Sequence, residues 1–316
     1  MKELSFPRTR ESDPRMRGDD ILNRIGNTPL LRLHRIGKEI PGVTLLAKAE
    51  WFNPGGSVKD RAAAGIIAAA EKAGVLTKEK ILLDASSGNT AIAYAMIAAA
   101  KGYKTKLCVP SNASPSVIRS LKSYGAEVVL TSPLESSDGA IREARRLMAA
   151  EPGTYYYADQ YSNEANWQAH YRTTGPEIWE QTAGEVTHFV AGLGTSGTLM
   201  GTGRYLKERN PAVRVIAVQP DSPLHGLEGL KHMETSIVPR IYDPAFPDEQ
   251  IEVQTEEAYA MVKRLACEEG LLAGISSGAA LAAGLKAASN LKNGTVVMIF
   301  PDGGARYLDE ESWEQP

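Results

Sequence analysis

The chain has 316 residues, 43% hydrophobic and 23% charged, which is enough for two domains with substantial cores. Thirty-five basic against 38 acidic side chains leave a net charge of −3, which argues against nucleic acid or an anionic membrane as the main partner. No apolar run reaches the length of a membrane span, and the first twenty residues lack a hydrophobic signal core, so the expected location is cytoplasmic.

Residues 1–19 mix both charges with two prolines and read as a flexible tail. After them, strands are expected at 44–51, 81–86, 105–110, 127–132, 155–159, 188–194, 214–220 and 295–302. Helices are expected between them at 57–74, 88–102, 114–124, 137–151, 164–183, 197–209, 255–270 and 276–291. Several strands are apolar throughout, as strands are when helices cover both faces of a sheet. The recurring β-α-β order predicts an α/β protein built on doubly wound, mostly parallel sheets. Cys108 and Cys267 have no partner at metal-ligand spacing and read as small core residues. The five histidines form no HExxH or related pattern, so no metal is expected.

Lys59 follows the turn Asn53-Pro54-Gly55-Gly56, and Ser57 is placed to cap an alanine-rich helix beginning beside it. A cation is poorly placed at the positive end of a helix. Such a lysine either splays into solvent or is kept partly neutral, as a nucleophilic amine must be.

Three loops sit where strand C-termini meet helix N-termini, the usual ligand address in an open α/β sheet. The first, Ser86-Ser87-Gly88-Asn89-Thr90, offers hydroxyls, an amide and close backbone approach, and suits a carboxylate or a phenolate-like oxygen. The second, Gly194-Thr195-Ser196-Gly197-Thr198, packs three hydroxyls round one helix start and suits a phosphate. It overlaps a G-x-G-x-x-G at 192–197 with Asp221 beyond the next strand, so a dinucleotide-dependent oxidoreductase is the rival of a different class. The third, Gly274-Ile275-Ser276-Ser277-Gly278, also opens a helix, where a serine can serve simply as its cap. An amine, a phosphate cradle and a carboxylate cradle together suit pyridoxal 5'-phosphate, whose aldehyde would join Lys59 as a Schiff base.

The motifs NPGGSVKDR, SSGNT, DQYSNEANWQAHYRTTGPEIW, GLGTSGT and GISSGAA occur in this order. With them the chain resembles the cysteine synthase (O-acetylserine sulfhydrylase) branch of the fold-type II pyridoxal-phosphate enzymes from about Ile21 to Leu308. The fold this implies is that of the tryptophan synthase β-like proteins. By resemblance, Lys59 is the Schiff-base lysine and Asn89 bonds the cofactor's phenolic oxygen. Residues Gly194, Thr195, Ser196, Gly197 and Thr198 hold its phosphate. Ser276, in the loop opened by Gly274, faces the ring nitrogen. Ser86, Ser87, Gly88 and Thr90, assisted by Gln160, hold the substrate α-carboxylate. The implied reaction is a ping-pong β-replacement that makes L-cysteine from O-acetylserine or O-phosphoserine and a sulfur donor: sulfide, thiosulfate or a protein thiocarboxylate. Cystathionine β-synthase and other β-replacing lyases are alternatives in the same class. The segment 221–239 looks like the B-type branch, and Lys231 is placed in it to meet an anionic leaving group. The resemblance also implies a homodimer, a large domain of residues 20–52 and 164–316, and a small mobile domain of residues 53–163.

Overall fold

The structure, a computed structural model, describes residues 20–308; the tail expected over 1–19 lies outside the described residues. In chain order the strands are β1 (Leu30–Arg32), β2 (Val43–Ala49), β3 (Ile81–Ala85), β4 (Lys104–Pro110), β5 (Glu127–Thr131), β6 (Tyr155–Tyr157), β7 (His188–Gly192), β8 (Arg214–Pro220), β9 (Glu249–Val253) and β10 (Gly294–Phe300). The helices are α1 (Lys59–Lys72), α2 (Asn89–Lys101), α3 (Pro115–Ser123), α4 (Ser136–Ala150), α5 (Ala165–Arg172), α6 (Thr174–Gln181), α7 (Gly197–Arg209), α8 (Thr255–Arg264) and α9 (Ile275–Ala288).

Two sheets form. One has six strands in the order β1-β2-β10-β7-β8-β9, and the other four in the order β5-β4-β3-β6. Among the strands of the described residues, the short β1 alone runs antiparallel, against β2; the other strand pairs are parallel. The smaller sheet comes from one continuous stretch, whereas the larger draws strands from both sides of it in the sequence.

Strand alternation explains the continuous apolar runs. In β10, Val296, Met298 and Phe300 enter the core beneath α9, while Val297 and Ile299 enter the opposite core with Leu199 and Met200 of α7. Each face of the strand therefore needs an apolar side chain. The smaller sheet repeats the pattern. Leu82 and Leu107 pack with residues of α1 and α2, and Leu83 and Cys108 pack with Ile141 and Ala144 of α4.

Helix α5 packs between α1 and α7. A Cβ on Gly65 of α1 would lie 2.7 Å from the Ala169 Cβ, and one on Gly201 of α7 would collide with the Trp167 carbonyl. The missing side chains let α1 and α7 close onto the two sides of α5.

Four expectations change. The helix expected over 164–183 breaks at Thr173 into α5 and α6, because Pro176 cannot continue a helix through its i−4 partner. Strands β1 and β9 were not anticipated: β1 has three residues, and β9, at the sheet edge, reads as the charged stretch EQIEV. The helix expected over 255–270 is α-helical only to Arg264 and closes in a π-turn over Leu265–Glu269. Cys267 lies in that turn and is exposed rather than in a core. The buried stripe Ala258, Val262, Leu265 runs along the opposite side.

Candidate functional site

The ends of β3, β7 and β10 open on one cleft of about 430 Å³, lined by Lys59, Ser86, Asn89, Thr195, Thr198 and Ser276, among others. The turn before α1 leads into it through Val58. The Gly55 amide donates to the Asp60 carboxylate at 2.5 Å, and Val58 N donates to the Pro301 carbonyl at 2.8 Å. Burial pushes Asp60 up to about 7. Ser57 accepts from the Lys59 amide at 3.2 Å, so the expected capping hydroxyl does meet the helix start, although Val58 holds the cap position itself.

Lys59 is the first residue of α1 and reaches into the cleft. Burial lowers its affinity for a proton, and the Asp302 and Glu50 carboxylates oppose that shift. Two residues on, Arg61 faces the other way. It donates to Glu50 at 2.7 Å and to Glu177 at 2.6 Å, and Lys48 adds a 2.7 Å ion pair to Glu177. Thr28 and Asn53 also donate to Glu50, at 2.7 and 2.8 Å. This closed network fixes α1 to the end of β2 and to α6.

In the hydroxyl loop, Thr90 donates to the Gln160 side-chain oxygen at 2.8 Å, and the Gln160 amide donates to the Ala85 carbonyl at 2.8 Å. Two expected carboxylate contacts are thus tied to each other. Ser87 is exposed at the rim, and Ser86 accepts from the Gly88 amide at 3.2 Å. Behind the loop, burial pushes Asp84 up to about 7 while it accepts from the Ala85 amide. The Asn89 amide donates to Asp302 at 2.6 Å and accepts from Arg306.

The segment after β10 adds residues to the cleft that the sequence reading does not name as site residues. Asp302 is buried, accepts from the Tyr307 hydroxyl at 2.5 Å, and stands near Lys59. Burial raises its proton affinity, against the pull of Tyr307, Asn89, Arg306 and Lys59. The available signal was an acidic residue directly after an apolar strand and before two glycines, in PDGGARYL.

The loop 194–198 opens α7. Asn166 donates to Thr195 at 3.0 Å and to the Gln160 carbonyl at 2.8 Å, and the Ser196 hydroxyl is buried without a partner. Ser196 has φ +67°, a left-handed turn that points successive amides toward one place. The three glycines of the G-x-G-x-x-G pattern have reasons within the chain. Side chains at Gly192, Gly194 and Gly197 would collide with Leu230, the Gly229 carbonyl and Asn166. The pattern therefore does not require a dinucleotide.

Gly274 caps α9, with Ser276 in its first turn on the cleft and the Ser277 hydroxyl buried and unpartnered. Lys231 also lines the cleft, but its amine is engaged: it lies 3.1 Å from the Asp138 carboxylate and 3.4 Å from Ser137.

Pyridoxal phosphate fits this donor set. The cleft offers an amine and the hydroxyls of Thr195 and Thr198 at a helix start, and between those two residues in the chain Ser196 carries a buried hydroxyl that the protein leaves unpaired.

Comparison with known proteins agrees with this chemistry. A family model described as pyridoxal-phosphate dependent enzyme matches residues 21–302. The chain is 50% identical to the cysteine synthase of Aquifex aeolicus over 92% of this chain and 90% of that one. It is 44% identical to cysteine synthase B of Pseudomonas aeruginosa over 91% of this chain and 95% of that one. The crystal structure of cysteine synthase from Entamoeba histolytica superposes with a TM-score of 0.90 at 36% identity, covering 98% of this chain and 95% of that one.

Proposed function

Because the chain belongs to the pyridoxal-phosphate dependent enzymes, in their cysteine synthase branch, we propose that it makes L-cysteine by replacing the leaving group of an activated serine with sulfur. One observation carries the reading: the Lys59 amine shares a single cleft with the hydroxyl-rich loop 86–90 and with the hydroxyls of Thr195 and Thr198 at the start of α7.

Bound pyridoxal phosphate supplies an aldehyde for the amine and a ring that delocalises the electron pair left when the substrate Cα loses its proton. The remaining work falls to this chain. Thr195, Ser196 and Thr198 would hold the phosphate at the start of α7, where the aligned backbone amides favour an anion. Ser276 would face the ring nitrogen with a neutral hydroxyl, which does not force that nitrogen to stay protonated. Ser86, Ser87, Thr90 and Gln160 would hold the substrate carboxylate, and Asn89 the phenolic oxygen once it parts from Asp302. The lowered basicity of Lys59 Nζ favours its neutral form, the form that can take up the Cα proton.

The proposed small domain, 53–163, would close on the remainder and exclude water from the carboxylate loop. The Asn89–Asp302 and Lys231–Asp138 contacts cross that division and would change with it. We place the activity in the cytoplasm, in a homodimer, with sulfide, thiosulfate or a protein thiocarboxylate as donor.

A turnover assay tests the reading. Purified enzyme given O-acetylserine and then sulfide forms L-cysteine, and Lys59→Ala loses at least about a thousandfold in rate, as removal of a nucleophile and base requires. A Lys59→Ala variant as fast as the parent rejects it.

A further inference from the structure

No residue of helix α5 lines the cleft, yet two of its side chains, one turn apart, reach the loop 194–198. Asn166 is bonded to Thr195, and His170 to Thr198. Both are almost wholly buried, at 1% exposure each. We propose that Asn166 and His170 are positioning residues that donate into Thr195 and Thr198 from behind, turning both hydroxyl protons toward the cofactor phosphate. The inference rests on the reading of 194–198 as the phosphate loop and adds how that loop acquires its polarity.

The direction of each bond follows from counting donors and acceptors. His170 Nδ1 lies 2.9 Å from the Thr174 hydroxyl, and Nε2 lies 3.3 Å from the Thr198 hydroxyl. Thr174 is fully buried, and among the described residues its hydroxyl has no other hydrogen-bond partner. A buried hydroxyl proton left unmatched is costly, so Thr174 donates to Nδ1. The imidazole is neutral: burial, helped by the Arg61 and Lys59 charges and opposed by Glu50 and Glu177, holds it down to about 3. A neutral ring carries one proton, and with Nδ1 accepting, that proton sits on Nε2. Nε2 then donates to Thr198, whose own proton is left for the cleft that Thr198 lines. The reverse order would aim a hydroxyl lone pair at a dianion.

Thr195 is set in the same way. The Gln160 carbonyl takes one Asn166 amide proton at 2.8 Å, which fixes the amide's orientation and leaves the other proton for Thr195 at 3.0 Å. The Gly197 amide donates to the same hydroxyl at 3.4 Å. With its oxygen accepting twice, Thr195 also presents its proton outward.

The full-length protein is titrated by equilibrium dialysis with pyridoxal phosphate and, separately, with pyridoxal, which lacks the phosphate. The ratio of the two dissociation constants isolates the phosphate contacts. Thr198→Val is expected to reduce the preference for the phosphate ester about tenfold, the size of one charge-assisted hydrogen bond. His170→Met is expected to reduce it about fivefold, and His170→Gln, whose amide donates from the same region, to restore it to within about twofold. If Thr198→Val leaves the ratio unchanged, the phosphate reading of the loop fails and the relay with it. If Thr198→Val lowers the ratio and His170→Met does not, the relay alone is wrong. Nitrogen-15 NMR of histidine-labelled parent holoenzyme decides the tautomer independently of any variant's folding. A proton on His170 Nε2 supports the proposal, and a proton on Nδ1 overturns it.

Discussion

Lys59 and Arg61 stand two residues apart in the first turn of α1 and meet opposite surroundings. Arg61 is enclosed by Glu50 and Glu177, with Lys48 balancing the second carboxylate, so two buried cations answer two carboxylates. Those carboxylates hold the guanidinium more firmly charged than usual, and the cations pull Glu177 down to about 2. Lys59, on the other face, has carboxylates near it but no hydrogen bond to its amine among the described residues, and burial weakens its hold on a proton. A compensated buried charge anchors a helix; an uncompensated one stays available for chemistry. One turn of helix does both because successive side chains leave it in different directions.

The largest effect that sharpens this contrast is on stability. Arg61→Met leaves Glu50 and Glu177 without their main partner and is expected to cost about 3–5 kcal/mol in urea unfolding, as breaking a buried pair does. Lys59→Ala is expected to unfold at nearly the parent midpoint while losing turnover. Equal losses of stability in the two variants would erase the distinction.

A smaller effect is the acid limb. The folded Glu177 carboxyl sits at about 2 against an ordinary 4.5, so it binds its proton less readily than the unfolded chain does. Its contribution is therefore fully present above pH 4.5 and fades as pH falls toward 2. The urea midpoint of the parent should fall across that window, and that of Glu177→Gln should fall less steeply. Parallel curves would place the acid sensitivity elsewhere.

The smallest effect concerns Lys231, which lies between the two cases: it is on the cleft, yet paired with Asp138. We expect Lys231→Ala to lower kcat/KM for O-phosphoserine relative to O-acetylserine by about fivefold, the scale of a partly screened ion pair. An unchanged ratio would mean that Asp138 keeps the lysine from reading the leaving group.

What the sequence reveals follows the same division. The cleft-facing side of α1 is legible because it is local. Lys59 after a Pro-Gly-Gly turn, and clusters of glycine and hydroxyl residues at strand ends, are patterns within five or six consecutive residues. The anchoring side was not, since Glu177 is brought to Arg61 from 116 positions away. Its local traces are Lys48 near the end of β2 with Glu50 just after it, and an arginine at the head of an alanine-rich helix. Asp302, Arg306 and Tyr307 were missed for a related reason, because Asn89 meets Asp302 across 213 positions. His170 and Asn166 lie in the motif DQYSNEANWQAHYRTTGPEIW, whose residue order does not reveal that their side chains meet Thr198 and Thr195 nearly thirty positions on.

Treating the holoenzyme with borohydride, followed by peptide mapping, addresses the central claim most directly. The cofactor should be found fixed to the peptide containing Lys59, with Lys48 and Lys231 unlabelled. A label on another lysine, or retention of cofactor with no reducible bond to the protein, would contradict it.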